Sequence, residues 1–232
     1  MGERDKTMLG FDEKVYYIDS KKENAALLVE RRLASLLRRC PKPRATPVFL
    51  CIGSDRVTGD SLGPIIGSRL KEAFRDSLPV YGTLEMPVHA LNLSSVLEAI
   101  RAHHPEEPLI AIDASLGVPE HLGYITLGQG SLTPGAGVQK TLESTGDIFI
   151  TGIVGASGRY AHLTLQTARL SSVLPVAGRI SAGILSLFDT TRSEMPLPGC
   201  KRLRHPGRIC AEELLPDRIP HIHRGFRSSL PW

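Results

Sequence analysis

Two aspartates, Asp60 and Asp113, have the residue type and the spacing for acid–base chemistry. Asp60 lies in the segment 53–64 (GSDRVTGDSLGP), which follows the apolar run 48–52, and Asp113 closes the apolar run 109–113 (LIAID). Both runs predict buried strands, and the carboxyl ends of parallel strands meet in one crevice. Two carboxyl groups in one crevice can share a proton, activate water and protonate a leaving group, or hold a cation.

A structural role explains the same two residues equally well from spacing alone. Asp60 can serve as the N-cap of the helix predicted after it, and Asp113 can cap the turn that follows its strand. The spacing leaves the catalytic and the structural roles open for both residues.

Five further polar residues are expected near the same crevice. Asp55 and Arg56 share the loop of Asp60 and are candidates to position a peptide. His89 follows the second predicted strand, where it can act as a proton shuttle, a ligand or a hydrogen-bonding partner of a substrate, or as a structural histidine. Glu85 is a third acid of this region, and Asn92 can bind a substrate backbone or cap the next helix.

The elements that must position these residues alternate between strands and helices. Short apolar runs predict strands at 48–52, 80–84, 109–113, 124–127 and 147–154. Apolar residues at helical spacing predict helices at 20–40, 62–74, 91–103 and 161–188, the last kinked or divided by Pro175. This alternation predicts an α/β fold with three α/β/α layers and a mainly parallel sheet.

Length and composition exclude several classes of protein. The 232 residues are 41% apolar and 22% charged, which rules out a wholly disordered chain. No run approaches the roughly 18 apolar residues of a membrane span, and the first residues are too polar for a secretory signal. Four cysteines at unrelated spacings do not predict a disulfide framework. We therefore expect a soluble, cytoplasmic protein.

The net charge of +4 is unevenly distributed along the chain. Residues 1–46 carry 11 Lys and Arg against 7 acids, residues 47–189 carry 9 against 13, and residues 190–232 carry 8 against 4. The pattern predicts a basic N-terminal extension with an amphipathic helix, an α/β domain at 47–189, and a basic, Pro-rich tail. No aromatic stacking run accompanies the basic ends, so nucleic acid is not an expected partner.

Several longer motifs of the central part form a distinctive set. They are IGSDRVTGDSLGP, YGTLEMPVHALNL, LIAIDASLG, LTPGAGVQK and GDIFITGIV, all between about residues 48 and 188. Together they resemble the YyaC-type sporulation proteins, a predicted class of spore protease in spore-forming bacteria. The resemblance implies a domain of peptidase ancestry.

A more distant resemblance links the chain to the germination protease, which degrades small acid-soluble spore proteins. Its V-T-P-D-A-L-G-P segment is matched by Val57–Pro64, its I-D-A-L strand end by Ile112–Leu116, and its P-G-S-G-V loop by Pro134–Val138. The resemblance implies that the catalytic aspartates proposed for that family fall on Asp60 and Asp113.

The hydrogenase-maturation endopeptidases share this phosphorylase/hydrolase-like fold and place acidic metal ligands at the same two positions. They add a histidine after a later strand, for which His89 and His162 are the candidates here. Similarity to these enzymes implies a divalent metal held by Asp60, Asp113 and one histidine. A reaction of the aspartic type requires no cofactor.

These resemblances imply a peptidase whose substrate is a protein or peptide, such as a spore protein. We expect the substrate to lie extended across the strand ends, with the Gly-rich loop 128–137 as a flap above it. The alternative is a catalytically inactive protein of the same fold that binds an acidic partner through its basic ends during sporulation. The oligomeric state is not fixed by the sequence.

Three other kinds of site are poorly matched. The loop 128–137 contains neither glycine pattern of a nucleotide cradle. The segment 155–158 (GASG), near His162, lacks the last glycine of a nucleophile elbow, since position 159 is Arg. The cysteines and histidines of the tail lack the paired short spacings of a zinc site.

Overall fold

The computed structural model describes residues 15–42, 46–75, 77–134, 143–158 and 161–189 of the chain. In the last of these ranges the side chains are described from residue 163 onward, so the side chain of His162 is not among them. The predicted basic tail and the last residues of the predicted flap, 135–137, also lie outside the described residues.

Six strands and five α-helices make up the described part of the chain. The strands are β1 (Tyr16–Asp19), β2 (Val48–Cys51), β3 (Val80–Tyr81), β4 (Leu109–Gly117), β5 (Tyr124–Gln129) and β6 (Ile148–Ala156). The helices are α1 (Ala25–Arg39), α2 (Leu62–Phe74), α3 (Leu93–His103), α4 (Ala161–Thr167) and α5 (Leu170–Phe188). Two 3-10 turns, Gly59–Ser61 and Pro119–His121, lead into α2 and β5.

One six-stranded sheet has the strand order β1-β5-β6-β4-β2-β3. Strands β2, β3, β4 and β6 are parallel, and β5 runs against both of its neighbours, β1 and β6. Helices α1, α2 and α5 share one core with one face of the sheet, and α3 packs with β2 on the other face. The predicted three-layer α/β/α fold with a mainly parallel sheet is confirmed.

Strand β1 and helix α1, which lie within the predicted N-terminal extension, pack against the predicted α/β domain. The apolar stripe of α1 buries Val29, Leu33 and Leu36 in the core that α1 shares with α5. Gly183 of α5 permits close packing, because a Cβ there would come within 2.7 Å of the carbonyl oxygen of Ala26. Strand β1 pairs with β5 and forms one edge of the sheet. It is too short for its alternation to be recognised in the sequence.

Strand β4 is longer than its apolar run predicts, so Asp113 lies inside the strand and does not close it. Strand β6 pairs with β4 from Ile110 to Gly117 and supplies hydrogen-bonding partners over that length. Strand β2, on the other side, pairs with β4 only as far as Cys51 opposite Ile112. Asp113 is therefore the first residue of β4 beyond the end of β2, and it still borders the crevice at the carboxyl ends.

Two other predicted elements differ in extent. Strand β3 has two residues because the chain turns at Gly82, which has a φ of +86°. The long helix predicted at 161–188 is divided after Thr167, whereas Pro175 lies inside α5. Since proline lacks a backbone N–H, α5 forgoes one hydrogen bond there.

Among the described helices, α5 has the length and the apolarity to cross a membrane, with a mean hydropathy of 1.4. Within that stretch, 39% of the residues are buried inside the fold. They include Val173, Val176 and Ile180, which belong to the core shared with α1 and α2. Packing in the core accounts for the apolar face of α5.

Candidate functional site

A cleft of about 520 Å³ opens at the carboxyl ends of β2 and β4. It is bordered by both predicted catalytic aspartates and by four of the five predicted auxiliary residues. The six side chains are Asp55, Arg56, Asp60, Glu85, His89 and Asp113. The fifth auxiliary residue, Asn92, does not line the cleft. The structure thus brings the predicted charged residues together at the predicted edge of the sheet.

Two glycines hold Asp60 at this cleft. Gly53 has a φ of +142°, and a Cβ there would overlap the carbonyl oxygen of Asp60. The loop folds back at this contact, where the N–H of Ser54 donates to the same carbonyl oxygen at 3.1 Å. Gly63 lies against the carbonyl oxygen of Ile52, so α2 begins directly beside the end of β2. Any side chain at either glycine would push Asp60 away from the sheet.

Neither aspartate has the capping role that its spacing allowed. Asp60 lies within the first 3-10 turn, and the N-cap residue of α2 is Ser61. Asp113 lies within β4, where its side chain is 6% exposed. Its Oδ1 accepts a hydrogen bond from the N–H of Ala114 at 2.7 Å. Both carboxyl groups therefore face the cleft without a capping function.

Burial raises the pKa of both carboxyl groups. For Asp113, burial is the largest cause of a pKa well above the usual range, and the charge of Asp60 raises it further, while the N–H of Ala114 lowers it. Burial also raises the pKa of Asp60, while His89 and the N–H of Ser54 lower it. Asp113 therefore holds a proton more tightly than Asp60 does, and the pair can hold one proton between them.

Asn92 fixes the loop that carries His89. Its side-chain oxygen accepts a hydrogen bond from the His89 N–H at 2.8 Å, and its side-chain nitrogen donates to the Pro87 carbonyl at 3.0 Å. Asn92 is the N-cap residue of α3, but its side chain makes no bond to the helix. Asn92 therefore does not cap α3 with its side chain but positions the loop that carries His89, and a contact between Asn92 and a substrate stays a prediction.

Comparison with known proteins decides the family. Residues 17–183, from β1 into α5, match the family described as "Protein of unknown function (DUF1256)". The chain belongs to the DUF1256 family. It is also 43% identical, over 176 residues, to "Uncharacterized protein YyaC" of Bacillus subtilis (strain 168), an alignment that covers 75% of this chain and 84% of that protein. The predicted YyaC-type resemblance is confirmed, and neither description names an activity.

Three charged residues lie at the rim of the cleft in this DUF1256 chain. The side chains of Asp55, Arg56 and Glu85 are exposed. The N–H of Arg56 donates to the hydroxyl oxygen of Ser54 at 3.2 Å, which orders the loop beside Asp60. These side chains can reach a bound substrate while their charges stay hydrated. That Asp55 and Arg56 position a peptide stays a prediction.

Apolar side chains that the sequence did not single out form walls of the cleft. Leu91 is 85% exposed and Leu84 is 43% exposed. Pro134 and Leu165 also border the cleft. Exposed apolar walls beside a few polar groups are typical of ligand sites. Leu91 falls in a stretch with helical spacing, and only its exposure in the structure distinguishes it from a core residue.

The predicted metal site has two of its ligands among the described residues. Asp60 and Asp113 lie together, but no three His, Cys, Asp or Glu side chains of the described ranges converge closely enough to hold a metal ion. The described positions do not bring His89 together with the two aspartates as metal ligands, and a metal site completed by His89 stays a prediction. A site completed by His162 stays a prediction, because that side chain lies outside the described residues.

Proposed function

We propose that this DUF1256 chain is a peptidase that uses Asp60 and Asp113 as an acid–base pair. The observation that carries the proposal is the placement of two carboxyl groups, both with raised pKa values and coupled by charge, in one open cleft. Such perturbed pairs are typical of catalytic sites. The resemblance to the germination protease adds peptide-bond hydrolysis as the reaction and a spore protein as the expected substrate.

The two carboxyl groups take different roles because their pKa values differ. Asp60 is ionised and accepts a proton from a water molecule as the water oxygen attacks the peptide carbonyl carbon. Asp113 is protonated and gives its proton to the carbonyl oxygen. In the resulting diol, the C–N bond breaks as the amine takes the proton from Asp60, and one diol hydroxyl returns a proton to Asp113. Each carboxyl group ends in its starting state.

The walls of the cleft suit an extended polypeptide. Leu84 and Leu91 offer apolar surface, while Asp55, Arg56 and Glu85 place charges of both signs at the rim. Successive side chains of an extended peptide point to opposite sides. A bound peptide can therefore set apolar side chains against the leucines and polar side chains toward the rim.

Cleavage of a peptide mixture tests this proposal. Peptides from a digested bacterial proteome are incubated with the purified chain, and new termini are identified by mass spectrometry. Asp60→Asn and Asp113→Asn are each expected to lower cleavage at least about 100-fold, because acid–base catalysis contributes about that factor. Glu98→Gln removes an exposed carboxylate of α3 that does not line the cleft, and as the matched control it should keep the activity.

Circular dichroism of each variant checks that the fold is retained. Unchanged cleavage in either folded catalytic variant would contradict the mechanism. A folded wild-type chain that cleaves no peptide would contradict the peptidase and favour the alternative of a catalytically inactive binding protein.

A further inference from the structure

A second cleft, of about 450 Å³, opens on the sheet face opposite to α1 and α5. Tyr17 of β1, Ser115 of β4, Thr126 of β5 and Thr151 of β6 line it, together with His121 of the second 3-10 turn. The acid–base reaction uses none of these residues. Side chains from four strands nevertheless converge there at a solvent-open surface.

Three hydroxyl groups form the floor of this second cleft. Thr151 Oγ1 lies 2.6 Å from Thr126 Oγ1 and 3.0 Å from Ser115 Oγ. These two hydrogen bonds engage two of the three hydroxyl protons, which leaves one donor and several lone pairs for a ligand. None of the described residues that line the cleft is Lys, Arg, Asp or Glu. The floor therefore suits an uncharged polar group.

An aromatic row stands beside the hydroxyl groups. The ring centroids of Tyr17 and His121 are 5.3 Å apart, and those of His121 and Tyr124 are 5.1 Å apart. Tyr17 is 56% exposed although its ring borders the cleft. Rigid aromatic surface of this kind packs well against the methylene groups and backbone of a bound chain.

The two clefts adjoin across the sheet. Asp113 of the first cleft is the register partner of Thr151, Thr151 pairs with Thr126, and Thr126 pairs with Tyr17. Register partners lie on the same face, so these four residues form a line perpendicular to the strands. With strands about 4.8 Å apart, the line spans about 14 Å, which is the length of about four residues of extended peptide.

We propose that the second cleft is a substrate-binding subsite of the peptidase, which holds an uncharged polar side chain of the polypeptide about two to three residues from the scissile bond. Thr151 and Thr126 lie about 5 Å and 10 Å from Asp113 along this line, and Tyr17 lies at its far end. The inference rests on the proposed function. The hydroxyl groups of Ser115, Thr126 and Thr151 bind the amide or hydroxyl group of the substrate side chain. The ring of Tyr17 packs against the neighbouring peptide backbone.

Binding is measured separately from cleavage. A mixture of random peptides of about twelve residues is passed over the immobilised Asp113→Asn chain, and the retained peptides are identified by mass spectrometry. Tyr17→Ala and Thr126→Val, each in the Asp113→Asn background, are expected to lower retention at least about fivefold, since one lost hydrogen bond or ring contact has about that effect. Leu174→Ala, at a 39% exposed leucine of α5, is the matched control and should leave retention unchanged.

The specificity of cleavage supplies the second readout. Peptides cut by the wild type should share an uncharged polar residue about two to three positions from the cut, and Thr126→Val should weaken this preference while still cleaving. Suppose that the wild type cleaves peptides but neither variant changes peptide retention or sequence preference. This result would overturn the proposed subsite without contradicting the proposed peptidase activity.

The remaining outcomes are also decisive. Retention that depends on Tyr17 and Thr126, without cleavage by the wild type, would support the peptide subsite and contradict the peptidase. Absence of both retention and cleavage would overturn both proposals. Retention of neutral oligosaccharides in place of peptides, lost in the same variants, would overturn the assignment to a polypeptide.

Discussion

The charge of Asp60 raises the pKa of Asp113, although the two residues belong to different elements of the fold. Their proximity depends on where β2 stops, because the chain beyond Cys51 turns back at Gly53 and carries Asp60 to the side of β4. Two carboxyl groups that interact in this way lose their protons in separate steps. The pair therefore keeps a proton over a range of pH in which an isolated carboxyl group has none.

Burial of Asp113 should lower the stability of the fold at neutral pH. Because the pKa of Asp113 is raised in the folded chain, the folded state binds this proton more tightly than the unfolded state does. The free energy of unfolding therefore falls as the pH rises from the pKa of the unfolded state through the pKa of the folded state. Asp113→Asn is uncharged at every pH. Its free energy of unfolding at about pH 8 should therefore exceed that of the wild type, by about 1.4 kcal/mol for each unit of pKa difference.

Urea denaturation of both proteins at about pH 8 and at about pH 4, near the unfolded-state pKa, checks this prediction. The advantage of Asp113→Asn should shrink at the lower pH. An advantage of the same size at both pH values, or a less stable variant at about pH 8, would be inconsistent with a raised pKa.

His89 should influence the pKa of Asp60, and therefore the pH range in which Asp60 is ionised and can accept a proton. The electrostatic influence of His89 lowers the pKa of Asp60, so His89→Gln should raise the pKa of Asp60. If Asp60 is the base, the acid limb of the pH profile of kcat/KM moves to higher pH in this variant. His103→Gln, at an exposed position of α3 outside the cleft, serves as the control. If the acid limb stays at the same pH in His89→Gln, His89 does not influence the pKa of the catalytic base, and the prediction is wrong.

Gly53 and Gly178 should respond to alanine with opposite signs. At Gly53 a Cβ overlaps the carbonyl oxygen of Asp60, and the positive φ adds strain, so Gly53→Ala should cost at least about 2 kcal/mol of stability and most of the activity. At Gly178 of α5 the nearest atom to a Cβ is Nη1 of Arg69 at 3.5 Å, so Gly178→Ala should stabilise by about 0.5–1 kcal/mol. Thermal and urea unfolding of both variants test the pair. If Gly53→Ala keeps the stability and activity of the wild type, the loop that carries Asp60 can rearrange, and the prediction is wrong.

Removal of metal ions should leave cleavage unchanged. The proposed reaction uses the carboxyl groups of Asp60 and Asp113, and no third ligand joins them among the described side chains. Elemental analysis and the peptide assay, before and after dialysis against a chelator, check this expectation. A stoichiometric divalent metal that is lost together with the activity, and is missing from Asp60→Asn, would overturn the metal-free reaction and favour a metal site completed by His89 or His162.

The charged residues of the site were predictable because they follow buried strands. Asp60 comes after the apolar run of β2 and His89 after that of β3, and parallel strands must end at a common edge. The sharp turn of the loop between β2 and Asp60 was partly predictable as well. Gly53 in this loop has a backbone conformation that residues with a side chain avoid.

Other features depend on contacts between segments far apart in the chain. Asp113 lies inside β4 because β6 extends that strand, and pairing partners are not visible in a local pattern. Asn92 supports His89 through a loop geometry that no spacing rule describes. The second cleft depends on the register of four strands, including β1 with Tyr17, which the sequence pattern did not predict as a strand.

The most direct test of the coupled pair is a titration of Asp113 followed by carboxyl carbon-13 NMR, in the wild type and in Asp60→Asn. We predict a pKa of Asp113 above the ordinary value of about 3.9 in the wild type, and a lower pKa, still raised by burial, in Asp60→Asn. Glu85→Gln removes an exposed acid from the same cleft and should leave the titration of Asp113 unchanged. An Asp113 that titrates at its ordinary value, or that has the same pKa with and without the Asp60 carboxylate, would contradict the coupled pair.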